Sequence, residues 1–292
     1  CGDVGINTAK LLVAEGHRVV GLRRNTAALP DFIEPLAADI ADPASLAPLR
    51  HRSFATVLVT TSAGEFSPQR YQSVYVDGLK NVLASLQHHP PGQLLLASST
   101  SVYHQQDGSW VDERSATEPE GFAGRCQLEA ESLALASGFA ATVVRFAGIY
   151  GPGRERLLRR LQQGYIVAAS NRNYSNRIHS HDCAGILAHL VARRLRGESL
   201  ERHYLAVDCK PTPLREVCEW LAQTLGLDPG AMQEDAMLGK VRIPVKDVVK
   251  PGRLKDAFPL QEAEQGDMHL IVLTREHPTG AATATLAVRD PA

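Results

Sequence analysis

The sequence predicts an α/β protein with a doubly wound parallel sheet and a small C-terminal lobe. Three observations lead there. Short apolar runs alternate with stretches of helical periodicity, as expected for strands covered by helices. A glycine turn, Gly2-Asp3-Val4-Gly5, passes directly into a helix. A later apolar strand ends in the small residues Thr61, Ser62 and Ala63, which leave room at the sheet's C-terminal edge.

The elements follow in order. Ile6–Glu15 reads as a helix stopped by Gly16, a residue that tolerates positive φ. Arg18–Leu22 is the next strand, and a further strand ends near Ala37-Ala38-Asp39-Ile40. Thr56–Thr60, Gln93–Ser98, Ala141–Phe146 and His203–Val207 are also strands. In the helical stretch Val74–Gln87, Val74, Gly78, Val82 and Leu86 share one face, flanked by Leu79 and Leu83. Later helices are Arg125–Ser137, Glu155–Gln163, Asp182–Leu195 and Thr212–Leu225, the last with Thr212 as N-cap and Pro213 as first helical residue.

Composition narrows the function classes. The 292 residues carry 31 Lys and Arg against 32 Asp and Glu. That balance gives no reason to expect nucleic acid or an anionic membrane as partner, because either favours a basic surplus. The cysteines at 1, 126, 183, 209 and 218 form no close pair, which suits free, mostly buried thiols in a reducing compartment. No apolar run approaches the roughly 20 residues of a membrane span, and no signal peptide is read. A cytoplasmic protein with a small-molecule substrate is expected, and a homodimer is the assembly allowed for.

The glycine turn carries the first chemistry. Preceded by one more Gly it would read G-x-G-x-x-G, in which glycines bring the backbone to a pyrophosphate and the helix N-terminus offers it N–H groups. Gly2, Asp3, Val4 and Gly5 are therefore expected to touch a dinucleotide, and a strand is expected upstream of Cys1. A plain turn before a helix is the alternative reading. Arg23 and Arg24 end the next strand, about where the fingerprint places its ribose-reading residue. An acid there accepts from the 2′-hydroxyl, whereas a guanidinium fork suits a 2′-phosphate. NADP is thus expected over NAD, against the alternative of two solvated arginines. Asp39, followed by Ile40, is placed to accept from the adenine amine, and Thr61, Ser62 and Ala63 complete the cofactor set.

Five further segments continue this order: Leu94-Leu95-Leu96-Ala97-Ser98-Ser99-Thr100-Ser101-Val102-Tyr103, Gly124-Arg125-Cys126-Gln127-Leu128-Glu129-Ala130-Glu131, Arg145-Phe146-Ala147-Gly148-Ile149-Tyr150-Gly151-Pro152-Gly153, Asn176-Arg177-Ile178-His179-Ser180-His181-Asp182, and Tyr204-Leu205-Ala206-Val207-Asp208. Together with the glycine turn they resemble the extended short-chain dehydrogenase/reductase family, the NAD-dependent epimerase/dehydratase group. The resemblance implies a Rossmann domain over 1–150 and 179–205, a small substrate lobe over 151–178 and 206–238, and an atypical tail over 239–292. It puts Gly148 and Ile149 on the cofactor, and Tyr103 and Arg177 in reach of substrate. Tyr103 also has a packing reading, and Arg177 would face a phosphate or carboxylate. The family's active-site Ser maps onto Ser99, whose hydroxyl would bond a substrate oxygen.

One departure is chemical. The family's catalytic Tyr and Lys, four residues apart, fall here on Ala123 and Gln127. A phenol titrates near 10 and needs a nearby cation to act as a base near neutrality. Ala123 offers no proton, and Gln127 can bond a ribose hydroxyl but brings no charge. His104 is the other candidate for proton transfer, with solvation at a strand end as its alternative. The expected function is an oxidoreductase- or epimerase-like protein acting on a small polar or nucleotide-linked substrate with weakened chemistry. The rival is a non-catalytic NADP(H)-binding regulator.

Other groupings have plainer readings. His179 and His181 lack the further ligand that a metal needs. Arg154, Arg156, Arg159 and Arg160 read as a solvated helix face in preference to a phosphate clamp. Thr279–Ala292 is small, polar and expected to be mobile.

Overall fold

Helix α1 (Asp3–Ala14) leads into β1 (Val20–Arg23), which β2 (Glu34–Ala37) and β3 (Thr56–Val59) follow. A continuous helical segment comes next: α2 (Pro68–Tyr71), a π-helical turn (Gln72–Asp77) and α3 (Gly78–Leu86). Then come β4 (Gln93–Ser99), α4 (Phe122–Leu135), β5 (Ala141–Phe146), β6 (Gly148–Tyr150) and α5 (Arg156–Gln162). Short strands β7 (Tyr165–Val167), β8 (Tyr174–Ser175) and β9 (Arg177–His179) precede α6 (Ser180–Leu195) and β10 (His203–Ala206). The last are β11 (Thr212–Pro213), α7 (Leu214–Thr224), β12 (Gln233–Asp235), β13 (Leu270–Glu276) and β14 (Ala282–Val288). This computed structural model describes residues 1–105, 109–171, 173–208 and 210–235, with the backbone of the two final strands.

The chain divides into two units. The first comprises residues 1–102, 117–146 and 181–206; the second comprises 103–116, 147–180 and 207–292. In the first, β10-β5-β4-β3 make a parallel four-stranded sheet, and β1 pairs with β2, also parallel. This is an α/β fold with a parallel sheet, and the helices cover it through apolar faces. Val74, Leu79, Val82, Leu83 and Leu86 are all buried, as their periodicity requires. Leu79 and Leu83 pack on Val59, Leu94, Leu96 and Val143, together with Ala130 and Ala134 from α4. Val82 and Leu86 meet Leu36, Leu46 and Leu49 in a neighbouring cluster.

One polar network lies inside this unit. Arg145 and Glu131 are almost fully enclosed, with side-chain exposures of 4% and 2%. Arg145 Nη2 donates to Glu131 Oε2 at 2.7 Å and Nε to Oε1 at 3.0 Å, while Ser98 Oγ donates to Oε1 at 2.6 Å. The pair joins α4 to β5, and Ser98 ties it to β4.

The second unit holds three two-stranded pairings among its first six strands: parallel β6–β9, antiparallel β8–β11 and parallel β7–β12. Its own core gathers Leu161, Ile166, Val167 and Cys218. Gly151 and Gly153 both take positive φ, 128° and 75°, so the turn leaving β6 needs glycine at both positions. Arg160 is paired with Asp235 and lies 4.1 Å from the Tyr165 ring centre, so it is not part of a purely solvated face.

Two local expectations need correction. Thr212 and Pro213 do not open α7 as N-cap and first residue. Pro213, at φ −49° and ψ 130°, is itself the N-cap, and both residues pair with Tyr174–Ser175. Thr212 Oγ1 donates back to the Lys210 carbonyl at 3.0 Å instead of capping the helix. The Val74–Gln87 helix begins earlier, at Pro68, and contains the π-turn. Gly78 at its end lies so close to Ile40 that a Cβ there would come within 2.7 Å of Cδ1. In the tail, β13 and β14 are antiparallel partners. Of the segment expected to be mobile, 282–288 form β14, and the rest lies outside the described residues. No helix of the described residues is long and apolar enough to cross a membrane.

Candidate active site

The glycine turn and the end of β3 meet. Gly2 is the N-cap of α1, with open space where a Cβ would stand. A Cβ on Gly5 would instead come within 3.0 Å of Thr60 Oγ1 and 3.2 Å of Cys1 Sγ, so glycine is what lets the helix sit this close to β3. Asp3 points away into solvent, where Asn7 Nδ2 donates to it at 3.2 Å, and Val4 is buried beneath the turn. Arg23, half-buried at the end of β1, lies near enough to help lower the pKa of the Cys1 amino group to about 6, mainly an effect of burial. Arg24 is exposed.

The loops after the neighbouring strands are held by side chains. Asp39 Oδ1 accepts from the Ala41 N–H at 3.0 Å and shapes the turn after β2. The Ile40 carbonyl accepts from Asn81 Nδ2 at 2.8 Å. After β3, the Ala63 N–H donates to the Tyr75 hydroxyl at 3.3 Å, and Arg70 Nε donates to the Ala63 carbonyl at 3.0 Å. Tyr75 and Arg70 therefore fix the Thr61–Ala63 segment from the helix that follows. Neither was singled out in the sequence. The only available signal was the Tyr at 75, whose role depends on a π-turn that periodicity does not disclose.

Ser99 closes β4, and its Oγ accepts from the Ser101 N–H at 3.1 Å, leaving its own proton to donate. Helix α4 is seated directly on this turn: a Cβ on Gly124 would fall 2.2 Å from the Ser101 carbonyl oxygen. Ala123 and Gln127 lie on that helix, one residue before and three after the point of closest approach. Gln127 is 6% exposed, and its Oε1 is buried without a hydrogen-bond partner. Such an acceptor is costly unless a donor reaches it, and a ribose hydroxyl is a donor that fits. Cys126, Cys183 and Cys218 are buried cysteines and Cys1 a half-buried one; burial raises the pKa of Cys126 and Cys218, and Cys209 lies outside the described residues.

The remaining candidates belong to the second unit. Tyr103 is buried, and its hydroxyl donates to the Asp112 carbonyl at 2.8 Å. His104 has a buried Nδ1 without a hydrogen-bond partner. Gly148 and Ile149 pair in β6 with Arg177 and Ile178, and the Gly148 N–H donates to the Asn176 carbonyl at 3.1 Å. Arg177 Nε stands 3.8 Å from Asp208 Oδ2, with side-chain exposures of 15% and 2%. Arg177 is thus turned toward an internal carboxylate.

Burial pushes the Asp208 carboxyl up to about 6 from 3.8, against the pull of Arg177 and of nearby backbone N–H groups. The folded protein then holds this proton more tightly than the unfolded chain does. Asp208 favours folding most below about pH 4, and that contribution is lost as pH rises to about 6. Asp208→Asn is expected to abolish this slope. Relative to wild type, it should gain roughly 3 kcal/mol between these pH values, from about two pKa units. Urea melts across that range check it, and parallel pH profiles for the two proteins would contradict it.

Comparison with known proteins gives the family and the fold. The family model for the NAD dependent epimerase/dehydratase family matches residues 2–198. A structure described as a NAD-dependent epimerase/dehydratase from Methylobacillus flagellatus is 34% identical, with 84% of each chain covered and a TM-score of 0.68. At 17% identity, the Thermus thermophilus UDP-glucose 4-epimerase in complex with NAD has the same fold, with a TM-score of 0.68 over 83% of this chain and 86% of that one. So does a double mutant of the Streptomyces venezuelae dTDP-glucose 4,6-dehydratase with NAD bound, also at 17% identity and 0.68, over 84% and 85%. No curated protein matches. With two thirds of its length matched and the glycine turn, Ser99 and α4 arranged as described, the chain belongs to the NAD-dependent epimerase/dehydratase family.

Proposed function

We propose that the chain binds a nicotinamide dinucleotide, NADP in preference to NAD, and acts on a small polar or nucleotide-linked substrate with weakened proton transfer. The observation that carries this reading is the meeting of the α1 N-terminus, the end of β3 and Arg23. The backbone N–H groups at Gly2–Gly5 hold an anion, and Arg23 and Arg24 supply the charge for a 2′-phosphate. Asp39 and Ile40 border the adenine, Thr61–Ala63 line the path beside it, and Gln127 Oε1 accepts from a ribose hydroxyl. A bound nicotinamide supplies hydride transfer. Ser99 donates to a substrate oxygen, while Ala123 leaves the usual proton donor's place without a titrating group.

The preference is tested by titrating NADPH and NADH against the protein by fluorescence. NADPH is expected to bind about 10-fold or more tightly, the scale of one charge-assisted hydrogen bond. Arg23→Ala and Arg24→Ala should narrow the gap. Equal affinities in the wild type would remove the preference for NADP. The absent Tyr and Lys favour a second reading, a regulator that binds NADP(H) without turnover. A substrate screen with intact NADPH binding separates the two.

A further inference from the structure

The geometry points to Tyr75 as the proton donor of the substrate reaction, its hydroxyl standing in for the phenol that position 123 lacks. The inference rests on the proposed reading of a nicotinamide-dependent enzyme and names the acid that reading leaves open. Tyr75 lies in the π-turn Gln72–Asp77, a departure from regular helix that is frequent at functional positions. Its hydroxyl accepts from the Ala63 N–H at 3.3 Å, beyond the C-terminal end of β3. That is the edge of a parallel α/β sheet at which ligands bind. The Tyr75 proton itself meets no acceptor among the described residues.

Other unpaired polar groups of the first unit lie along the same edge. Strands β3 and β4 run parallel with Val59 opposite Leu96, so Ala63 and Ser99 follow neighbouring strand ends. Ser99 Oγ accepts from the Ser101 N–H and, like Tyr75, keeps its proton to donate. Gln127 Oε1, on α4, is buried without a partner. Ala123, Gln127, Ala130 and Ala134 share one stripe of that helix, and Tyr75 packs on the core cluster that contains Ala130 and Ala134. Tyr71 links it to the other end of the stripe. Its ring centre is 5.0 Å from that of Tyr75 and 5.3 Å from that of Phe122, the residue before Ala123. Tyr204, the remaining phenol of the first unit, opens β10 and so lies at the opposite edge of the sheet.

The step is a carbonyl reduction. The substrate carbonyl carbon takes a hydride from the reduced nicotinamide, and the C=O π pair moves onto oxygen. That oxygen forms its O–H bond as the Tyr75 O–H bond breaks, so the carbonyl is reduced and the nicotinamide oxidised. Water then reprotonates the phenolate. While the phenolate lasts, the Ala63 N–H already aimed at its oxygen stabilises the charge, because a hydrogen bond to an ion is roughly twice as strong as one to a neutral group. Ser99 donates to the same substrate oxygen and holds it in place. No lysine accompanies this phenol, since position 127 is Gln, in keeping with weakened proton transfer.

The first test needs no substrate. An oxidised nicotinamide ring carries a positive charge that the reduced ring lacks, and a cation beside a phenol favours its ionised form. Saturating NADP+ or NAD+, whichever binds in a fluorescence titration, is expected to raise the near-ultraviolet phenolate absorbance. The gain should be roughly a third to a half of one phenol per chain, read about one pH unit below the ordinary phenol range. The reduced cofactor, with the same phosphates, should give no gain. Tyr75→Phe keeps the ring and should bind cofactor yet lose the gain, whereas Tyr103→Phe should retain it. With a carbonyl substrate found by screening, Tyr75→Phe should lower kcat about 100-fold or more at unchanged KM. Adding Ala123→Tyr and Gln127→Lys to that variant should restore it. If urea melts show that Tyr75→Phe folds poorly, 3-fluorotyrosine at 75, a more acidic phenol of nearly the same shape, should move the gain to lower pH. Cofactor binding with the gain unchanged in Tyr75→Phe, or absent in the wild type, overturns the assignment and leaves the cofactor reading standing. Failure to bind either cofactor overturns both.

Discussion

Glu131→Ala is expected to destabilise the protein by about 3–5 kcal/mol, the usual result of stranding one member of a buried ion pair. Arg145 would keep its charge at 4% side-chain exposure with its forked acceptor gone, and Ser98 would lose the acceptor of its 2.6 Å bond. His203 Nε2 stands 4.0 Å from the same carboxylate but offers no replacement. It is a base whose pKa is lowered by burial and by Arg145, so it presents a neutral ring. Against a total stability of roughly 5–15 kcal/mol, the loss is large. Urea melts measure it. Replacing both partners together, Glu131→Leu with Arg145→Met, should recover most of the loss, since an apolar pair has no charge to desolvate. A single variant as stable as wild type would show that the pair is solvated after all.

The largest functional effect is expected from Ala123→Tyr combined with Gln127→Lys. Together they introduce a phenol and the cation that brings its proton into range. General acid–base help is worth about 10²–10⁴-fold, and turnover of a substrate found by screening should rise on that scale. Either change alone should do much less: a phenol without the cation titrates near 10, and a lysine at the buried 127 position has a charge without a partner. Any wild-type turnover should fall sharply in Ser99→Ala and scarcely change in Tyr103→Phe. If the double change leaves turnover flat while NADPH still binds, the regulator reading replaces the enzyme. Ordinary rates in the wild type would mean that the proton comes from a residue other than Ser99 or His104.

The sheet and its helices were legible because their signals are local and repeated. The apolar spacing of Val74, Val82 and Leu86 places a buried face without knowledge of what covers it. The glycine turn was legible for a similar reason, since Gly5 next to a helix start already implies close backbone approach. What sequence missed depends on contacts far apart in the chain. Thr212 has the residue type of an N-cap, yet pairing of its segment with Tyr174–Ser175 decides its conformation. Arg177 has the Asp208 carboxylate 3.8 Å from its Nε, a neighbour distant in sequence that no local pattern announces. Tyr75 required a π-turn to aim it at Ala63, and a π-turn leaves no periodic trace.

The seat of α4 on Ser101 has a consequence for how the protein could change over time. With no room for even one carbon between Gly124 and that carbonyl oxygen, the helix can neither roll nor sink, so its neighbours along the chain keep fixed addresses. A phenol can therefore be brought to that place only from position 123 itself, because no other α4 side chain can slide into it, or a donor must come from a different element altogether. Selection for activity would leave a readable mark: a phenol and a cation at 123 and 127, or a newly titratable residue elsewhere while Gly124 stays glycine.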